Sequence, residues 1–226
     1  NEKDAALQQT VTFLENSPDI HDKILVRPNK DRCSIELTAL AKFSTIGFML
    51  PKFEYGDDYQ SFNQLLESRP IIALVETPLG IANLQDIVKN TLISGIAFGA
   101  EDYTAKANME NSDQLLIFQK SMIVTFSKAH GKAAYDTPSF SINDDDKFLQ
   151  EVKLSAALGF NGKLAIHPKQ ADVIKNAFTV KDIDNLRKII TTFEASDDGV
   201  VVIDGKPYEK MHIDRFKRIL KEAEER

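Results

Sequence analysis

Six short, mostly apolar runs recur along this chain, each about one strand plus one helix after the last. That recurrence limits the available folds more than any other feature. The runs are KILVR (23–27), IGFMLP (46–51), IIALVE (71–76), SGIAFG (94–99), KAAYD (132–136) and GKLAIHP (162–168). Each is followed by a segment with helical spacing or helix-start residues, such as TPLGIANLQDIVKNTL after the third and PKQADVIKNAF after the sixth. The segment from Asp144 to Leu158 opens on an acidic first turn and closes at Gly159, which predicts a helix with both ends marked. The runs are apolar throughout rather than alternating, as expected of strands buried on both faces. Strand–helix alternation of this kind predicts an α/β fold with parallel strands.

A (β/α)8 TIM barrel fits the spacing, but a barrel needs eight strands and about 250 residues. Six strands are counted by Pro168. The first helical segment, 1–16, has no strand ahead of it, so the count predicts about two more units before Asn1. An open doubly wound sheet is the alternative. The expected organisation is a barrel domain over 1–178, incomplete at its amino end, and a helical extension over 179–226. The extension reads as two helices around one strand-like run, GVVVID. Its last helix carries a stripe of Ile213, Phe216, Ile219 and Leu220 that suits packing on its own barrel or contact with a neighbouring subunit.

The chain has 226 residues and a formal net charge of −6, which argues against nucleic acid or an anionic membrane surface as partner. No apolar stretch reaches about 18 residues, so no membrane span is expected. The opening NEKDAALQQT is not a signal peptide. Cys33 is the one cysteine, so no internal disulfide forms. A reducing, cytoplasmic setting fits, with Cys33 a structural or surface thiol.

Two acidic residues stand where apolar runs stop, Glu76 after IIALV and Asp102 after SGIAFGAE. In a parallel sheet the carboxyl ends of the strands share one face, where ligands bind. Neighbouring strands lie about 4.8 Å apart, so the two carboxylates can hold one divalent metal between them. Oxygen-only ligation with open positions favours Mg2+. A salt bridge for Glu76 and a helix cap for Asp102 are the plainer alternatives. Glu101 competes with Asp102, and spacing does not decide between them. Arg27 ends its strand on the same rim and offers a fork for a carboxylate or a developing oxyanion. Lys52, after MLP, is a weaker signal. Asp136 either binds substrate or shapes a loop. His167 suits a hydrogen-bonded strand–helix turn better than a metal. His21, His130 and His212 have no ligand spacing, and no phosphate loop, GxSxG elbow or HExxH pair occurs.

The segments ALVETPLGI, FGAEDY, YDTP, FNGKLAIHPKQ and FMLPKFE together resemble the citrate lyase β-subunit family of the HpcH/HpaI aldolase superfamily. Its stand-alone members include malyl-CoA and citramalyl-CoA lyases. The resemblance runs from about Asn1 to Ile219. It implies a Mg2+-dependent TIM barrel, trimeric or a multiple of that, acting on a CoA or acyl-carrier-protein thioester, with other citrate lyase subunits as possible partners. It implies Glu76 and Asp102 as metal ligands, favouring Asp102 over Glu101, with Glu76 also on the substrate side. Arg27, in VRPN, is similar to the family's substrate-binding arginine. The family's Pro-Gly-Asn-Arg-type and Leu-Asp-Leu-Glu-Asp-type segments do not occur here. Where many members carry an acid/base aspartate supplied by a neighbouring subunit, this chain has Glu209 in GKPYEKMH. Where many carry a Tyr-Ala-Arg run, it has IFQKS (117–121).

The expected activity is cleavage of a citryl, citramalyl or malyl thioester to an acetyl thioester and a 2-oxo acid. Glu76 and Asp102 hold the metal, Arg27 stabilises the enolate or binds the carboxylate, and Glu209 donates the proton. The alternatives are a non-catalytic scaffolding homologue, a malyl-thioester hydrolase, or malate-synthase-like condensation at the same site.

Overall fold

The computed structural model describes residues 2–178 and 183–224. The chain divides into two compact units, Asn1–Ile174 and Lys175–Arg226.

In the first unit six strands pair in the order of the sequence: β1 (Leu25–Val26), β2 (Gly47–Leu50), β3 (Ile71–Val75), β4 (Gly95–Phe98), β5 (Ala133–Asp136) and β6 (Gly162–Lys163). Every pairing is parallel. Each run expected to be a strand contains one. Helices α1 (Glu2–Asn16) and α2 (Cys33–Leu40) flank β1, and the short α3 (Asn63–Leu66) precedes β3. The segment after β3 breaks into α4 (Pro78–Ala82) and α5 (Leu84–Ile87). The break is at Asn83, whose side-chain amide donates to the Glu54 carbonyl at 2.9 Å. After β4 come α6 (Ala100–Ala107) and α7 (Asp113–Ala129), then α8 (Asp145–Leu158) after β5 and α9 (Pro168–Phe178) after β6.

The chemistry at the ends of α8 is as the sequence predicts. The Asp144 side chain accepts the Lys147 N–H at 3.0 Å, and Gly159 takes the left-handed conformation, φ 96°, that ends a helix at least cost in glycine.

Alternation along the strands sorts the core into two layers. Ile72, Leu74 and Ala97 pack together on one face with Met49, Tyr135 and Leu164. The opposite face, including Ile71, Ala73, Val75, Ile96 and Phe98, is also buried, and α7 packs against β4 and β5.

The carboxyl end of β5 is tied into this unit by charge. Asp136 is fully buried, and its Oδ2 accepts from Lys120 at 2.9 Å, from Lys163 at 3.1 Å and from the Ser155 hydroxyl. Lys120, also fully buried, donates to Asp113 at 2.6 Å. Burial pushes the Asp136 carboxyl upward, but Lys163, Lys120 and Ser155 outweigh it and hold the group below the usual carboxylate range. Asp136 is thereby engaged within the protein, where the sequence left substrate binding open. Lys120, in IFQKS, is a structural cation on α7.

The second unit holds α10 (Ile183–Glu194), a hairpin of β7 (Val200–Ile203) and β8 (Lys206–Glu209), and α11 (Lys210–Glu224). It has its own core of Ile189, Ile190 and Ile213, with Phe193, Ile203, Tyr208, Phe216 and Leu220 against it. The sequence reading expected one strand here. The second follows from Asp204-Gly205, with φ of 50° and 77°, the two-residue positive-φ turn that joins antiparallel strands. Among the described residues no helix is long and apolar enough to cross a membrane.

Removing the Asp136 carboxylate strands two buried ammonium groups. Asp136→Ala is expected to cost about 3–5 kcal/mol, read as a lower urea midpoint with an unchanged slope.

Candidate active site

Parallel pairing sets the carboxyl ends of the strands side by side. Glu76 follows β3 on the face of Ile72 and Leu74, by the two-residue period of a strand. It is only 4% exposed. Thr77 then opens α4: its hydroxyl accepts the Gly80 N–H at 3.1 Å, and Pro78 stands in the first helical turn. At Gly80 a Cβ would lie 2.6 Å from the Phe53 carbonyl oxygen. ETPLG therefore reads as a buried acid, a helix cap, a helix-starting proline and a point of close backbone approach.

The β3–β4 register pairs Val75 with Phe98, which puts Gly99 beside Glu76. A Cβ on residue 99 would sit 2.6 Å from Glu76 Cβ and 3.0 Å from Oε2. The missing side chain is the space the carboxylate occupies. Gly99 leads into α6, whose first N–H, on Ala100, donates to the Thr137 hydroxyl at 3.1 Å. Asp102 lies in the first turn of α6.

Glu76 and Asp102 line one cleft of about 550 Å3 together with Arg27 and Lys52. The Glu101 carboxylate turns elsewhere, accepting the Asn111 amide at 2.6 Å. Arg27 follows β1. Its loop is held from below by the buried Glu36, which accepts the Asn29 backbone N–H at 2.8 Å and the Asn29 side-chain amide at 2.9 Å. The Lys52 N–H donates to Glu76 Oε1 at 2.9 Å, so the lysine first meets this site through its backbone. Glu209 ends β8 in the second unit, exposed, with its N–H donating to His212 Nδ1 at 3.1 Å. His167 Nδ1 accepts the Lys169 N–H at 3.2 Å, the turn-holding role its position suggested. Cys33 is buried, and burial pushes its thiol up to about 11, the environment of a structural thiol.

Burial pushes the Glu76 carboxyl above its ordinary value. The Lys52 N–H and the Arg27 charge oppose this, while the charge and hydrogen bond of Asp102 add to it. Two acids that share one cleft and raise each other's cost of ionisation favour a proton or a cation between them. Among the described residues neither makes an ion pair within 4.0 Å. Nor does any group of three or more His, Cys, Asp or Glu converge there. A cation would thus take two carboxylates from the protein and its other oxygens from water or ligand, which suits Mg2+. The sequence reading missed what holds the pair in place, namely the Lys52 N–H, the empty side of Gly99 and the Thr137 hydroxyl.

The model of the family described as HpcH/HpaI aldolase/citrate lyase matches residues 1–168. The chain belongs to this family. Citrate lyase subunit beta of Haemophilus influenzae is 35% identical over 164 residues, covering 69% of this chain and 56% of that protein. A (3S)-malyl-CoA thioesterase of Cereibacter sphaeroides is 27% identical over 236 aligned positions, covering 99% of this chain and 82% of that protein. Among solved structures, CitE of Mycobacterium tuberculosis in complex with magnesium, acetoacetate and coenzyme A superposes with a TM-score of 0.74 at 25% identity, over 88% of this chain and 78% of that one. The fold is a partial TIM barrel of the citrate lyase β type, six parallel strands followed by carboxyl-terminal helices. The chain spans a little over half the length of the citrate lyase subunits it matches.

Two outcomes test the geometry of the pair. Gly99→Ala forces a methyl group against Glu76, an overpacking worth about 1–3 kcal/mol, and is expected to lower the melting temperature. The native state also holds the Glu76 proton more tightly than the unfolded chain. Its contribution to stability is therefore fully present below the ordinary carboxyl range of roughly 4 to 4.5 and is lost as pH rises through the raised native value. Thermal melts in EDTA should show that fall, and Glu76→Gln should flatten it.

Proposed function

We propose that the protein is a magnesium-dependent carbon–carbon lyase. Its substrate would be a 3-hydroxy-3-carboxyacyl thioester of coenzyme A or an acyl carrier protein, and its products an acetyl thioester and a 2-oxo acid. The observation that carries this reading is the Glu76–Asp102 pair, two acids that line one cleft, Glu76 after β3 and Asp102 in the first turn of α6, with no ion-pair partner among the described residues. The match to citrate lyase β subunits supports it, as does the likeness to a CitE bound to magnesium, acetoacetate and coenzyme A.

In this reading Glu76 and Asp102 hold the ion. A bound Mg2+ would lower the pKa of the substrate hydroxyl and offset charge on the forming 2-oxo acid. Glu76 is kept in place by the Lys52 N–H and by the gap at Gly99. Asp102 stands in the first turn of α6, whose first N–H donates to the Thr137 hydroxyl. When the hydroxyl proton passes to solvent water, the carbon–carbon bond breaks and its electron pair passes to the thioester fragment as an enolate. Arg27, tethered through Asn29 and Glu36, offers fixed positive charge to that fragment or to the substrate carboxylate. Protonation at carbon completes the acetyl thioester, and Glu209 from a neighbouring copy is the proposed donor. A trimer in the cytoplasm goes with this reading.

The likeness to a (3S)-malyl-CoA thioesterase over nearly the whole chain supports a second reading, hydrolysis of the thioester at the same site. One assay separates the two. Citryl-, citramalyl- and malyl-CoA are offered in turn, and acetyl-CoA, free CoA and 2-oxo acid are followed by chromatography. The lyase releases acetyl-CoA and 2-oxo acid in equal amounts, and only with Mg2+. Glu76→Ala and Asp102→Ala should each lower kcat by about a hundredfold or more. Free CoA with an intact hydroxy acid would select the hydrolase. No product from any thioester, with no Mg2+-induced rise in melting temperature, would leave a scaffold.

A further inference from the structure

A single peptide group links Glu76 to the loop that follows β2. It joins Pro51, which is buried, to Lys52. Its N–H, on Lys52, donates to Glu76 Oε1 at 2.9 Å. Its carbonyl, on Pro51, accepts the Tyr59 hydroxyl. A trans peptide is planar, with its C=O and N–H pointing in opposite directions. A donor that fixes the oxygen therefore fixes the direction of the N–H as well. Burial pushes the Tyr59 phenol above its ordinary value, so at neutral pH it keeps the proton that it donates.

This orientation of the peptide is not the one the backbone prefers. Lys52 has φ of 50°, in the left-handed region, which a residue with a Cβ disfavours by roughly a factor of ten. The ring of Pro51 locks its own φ, so the peptide after it turns through ψ of Pro51 and φ of Lys52 together. Half a turn takes φ at the second residue from positive to negative, the difference between type II and type I turns. That relaxed orientation carries the N–H away from Glu76. Tyr59 is itself left-handed, with φ of 62°, which is uncommon for a bulky residue. The rest of the loop is fastened by other groups. Asp58 Oδ2 accepts the Glu54 and Tyr55 N–H at 2.6 and 3.1 Å. The Asn83 and Asn90 amides donate to the Glu54 and Gly56 carbonyls, each at 2.9 Å. The Tyr59 ring packs 5.4 Å from Phe53, with the Lys30 ammonium 4.4 Å above it. These contacts hold the path of the loop without the hydroxyl, which is spent on the Pro51 carbonyl.

We propose that Tyr59 is a positioning residue: its hydroxyl latches the Pro51–Lys52 peptide in the orientation that presents the Lys52 N–H to Glu76, and so sets that carboxylate for a divalent ion. The inference rests on the metal-holding role given to Glu76 above and extends it to the loop behind. Tyr59 acts through the backbone and from outside the cleft lining. Donation to the carbonyl also polarises the peptide and strengthens the bond that its N–H makes. With the latch removed, Lys52 relaxes to negative φ, and Glu76 Oε1 loses its N–H partner. A carboxylate released in this way binds a metal less tightly, as when a ligand loses the hydrogen bond that orients it.

The test is calorimetric titration with MgCl2 of the parent, Tyr59→Phe, Lys52→Gly and the double variant. Tyr59→Phe keeps the ring and removes only the hydroxyl, and it is expected to weaken Mg2+ binding about tenfold. Glycine at 52 carries no penalty at positive φ, so the peptide keeps its orientation without the latch. In the Lys52→Gly background the same Tyr59→Phe change should therefore weaken binding by no more than about threefold, a coupling that a cycle of four proteins measures free of the lost lysine charge. Ile123→Val, buried on α7 away from the loop, controls for general loss of stability and should leave Mg2+ affinity unchanged. Unaltered Mg2+ affinity in Tyr59→Phe overturns the assignment. An equal loss in both backgrounds overturns it too, because a hydroxyl that merely braces the loop is not rescued by glycine. So does an equal loss in Ile123→Val. Each of these three results leaves the lyase reading standing. A parent that binds no Mg2+ sinks the metal role of Glu76, and the latch with it.

Discussion

Parallel strands paired in sequence order can deliver side chains to only one shared rim, and the rest of this site depends on that constraint. The β3–β4 register, Val75 opposite Phe98, puts residue 76 next to residue 99 and brings the start of α6 to the same edge. Glu76 then arrives where the inner layer of apolar side chains stops, 4% exposed, beside a second carboxyl group. That placement is unfavourable for an ionised acid without a partner. The surroundings do not relieve it with a lysine or an arginine at contact distance. They hold the pair in position instead, through one backbone N–H, one missing side chain and one helix cap.

A different treatment of charge lies two strands further along the sheet. Asp136 also ends a strand and is more deeply buried than Glu76, yet two lysines and a serine satisfy one of its oxygens. The two acids look alike in the sequence, each closing an apolar run before a Thr-Pro pair: Glu76-Thr77-Pro78 and Asp136-Thr137-Pro138. Their environments separate them. One acid is internally neutralised and braces the sheet, while the other is left open toward a cleft. A buried ion network gains its strength from ion pairs made within the protein, and a ligand site from charge that the protein leaves unpaired.

Much of this was legible in the sequence. The six apolar runs place the six strands because strands buried on both faces have a composition that helices and loops seldom copy. The charged residues that end them, Arg27, Glu76 and Asp102, meet in one cleft. What the sequence did not reveal depends on contacts between distant segments or on backbone conformation. Nothing local marks Lys120 as the partner of Asp136, sixteen residues and one helix away. Nothing in the spacing sends Glu101 to Asn111 and Asp102 into the cleft. The β7–β8 hairpin is a different case, because Asp204-Gly205 was a readable turn signal hidden by the weakly patterned strand after it.

The narrow gap at Gly99 has a consequence for how such a chain can change. Position 99 must stay bare while position 76 carries an acid, because any Cβ there meets the carboxylate. The reverse does not hold, since a smaller residue at 76 would free 99 to accept a side chain. Substitution can therefore proceed easily in one order only, with the acid lost first and the glycine afterwards. A sequence that keeps both is at the start of that path, before the step after which recovering the acid would require two changes at once.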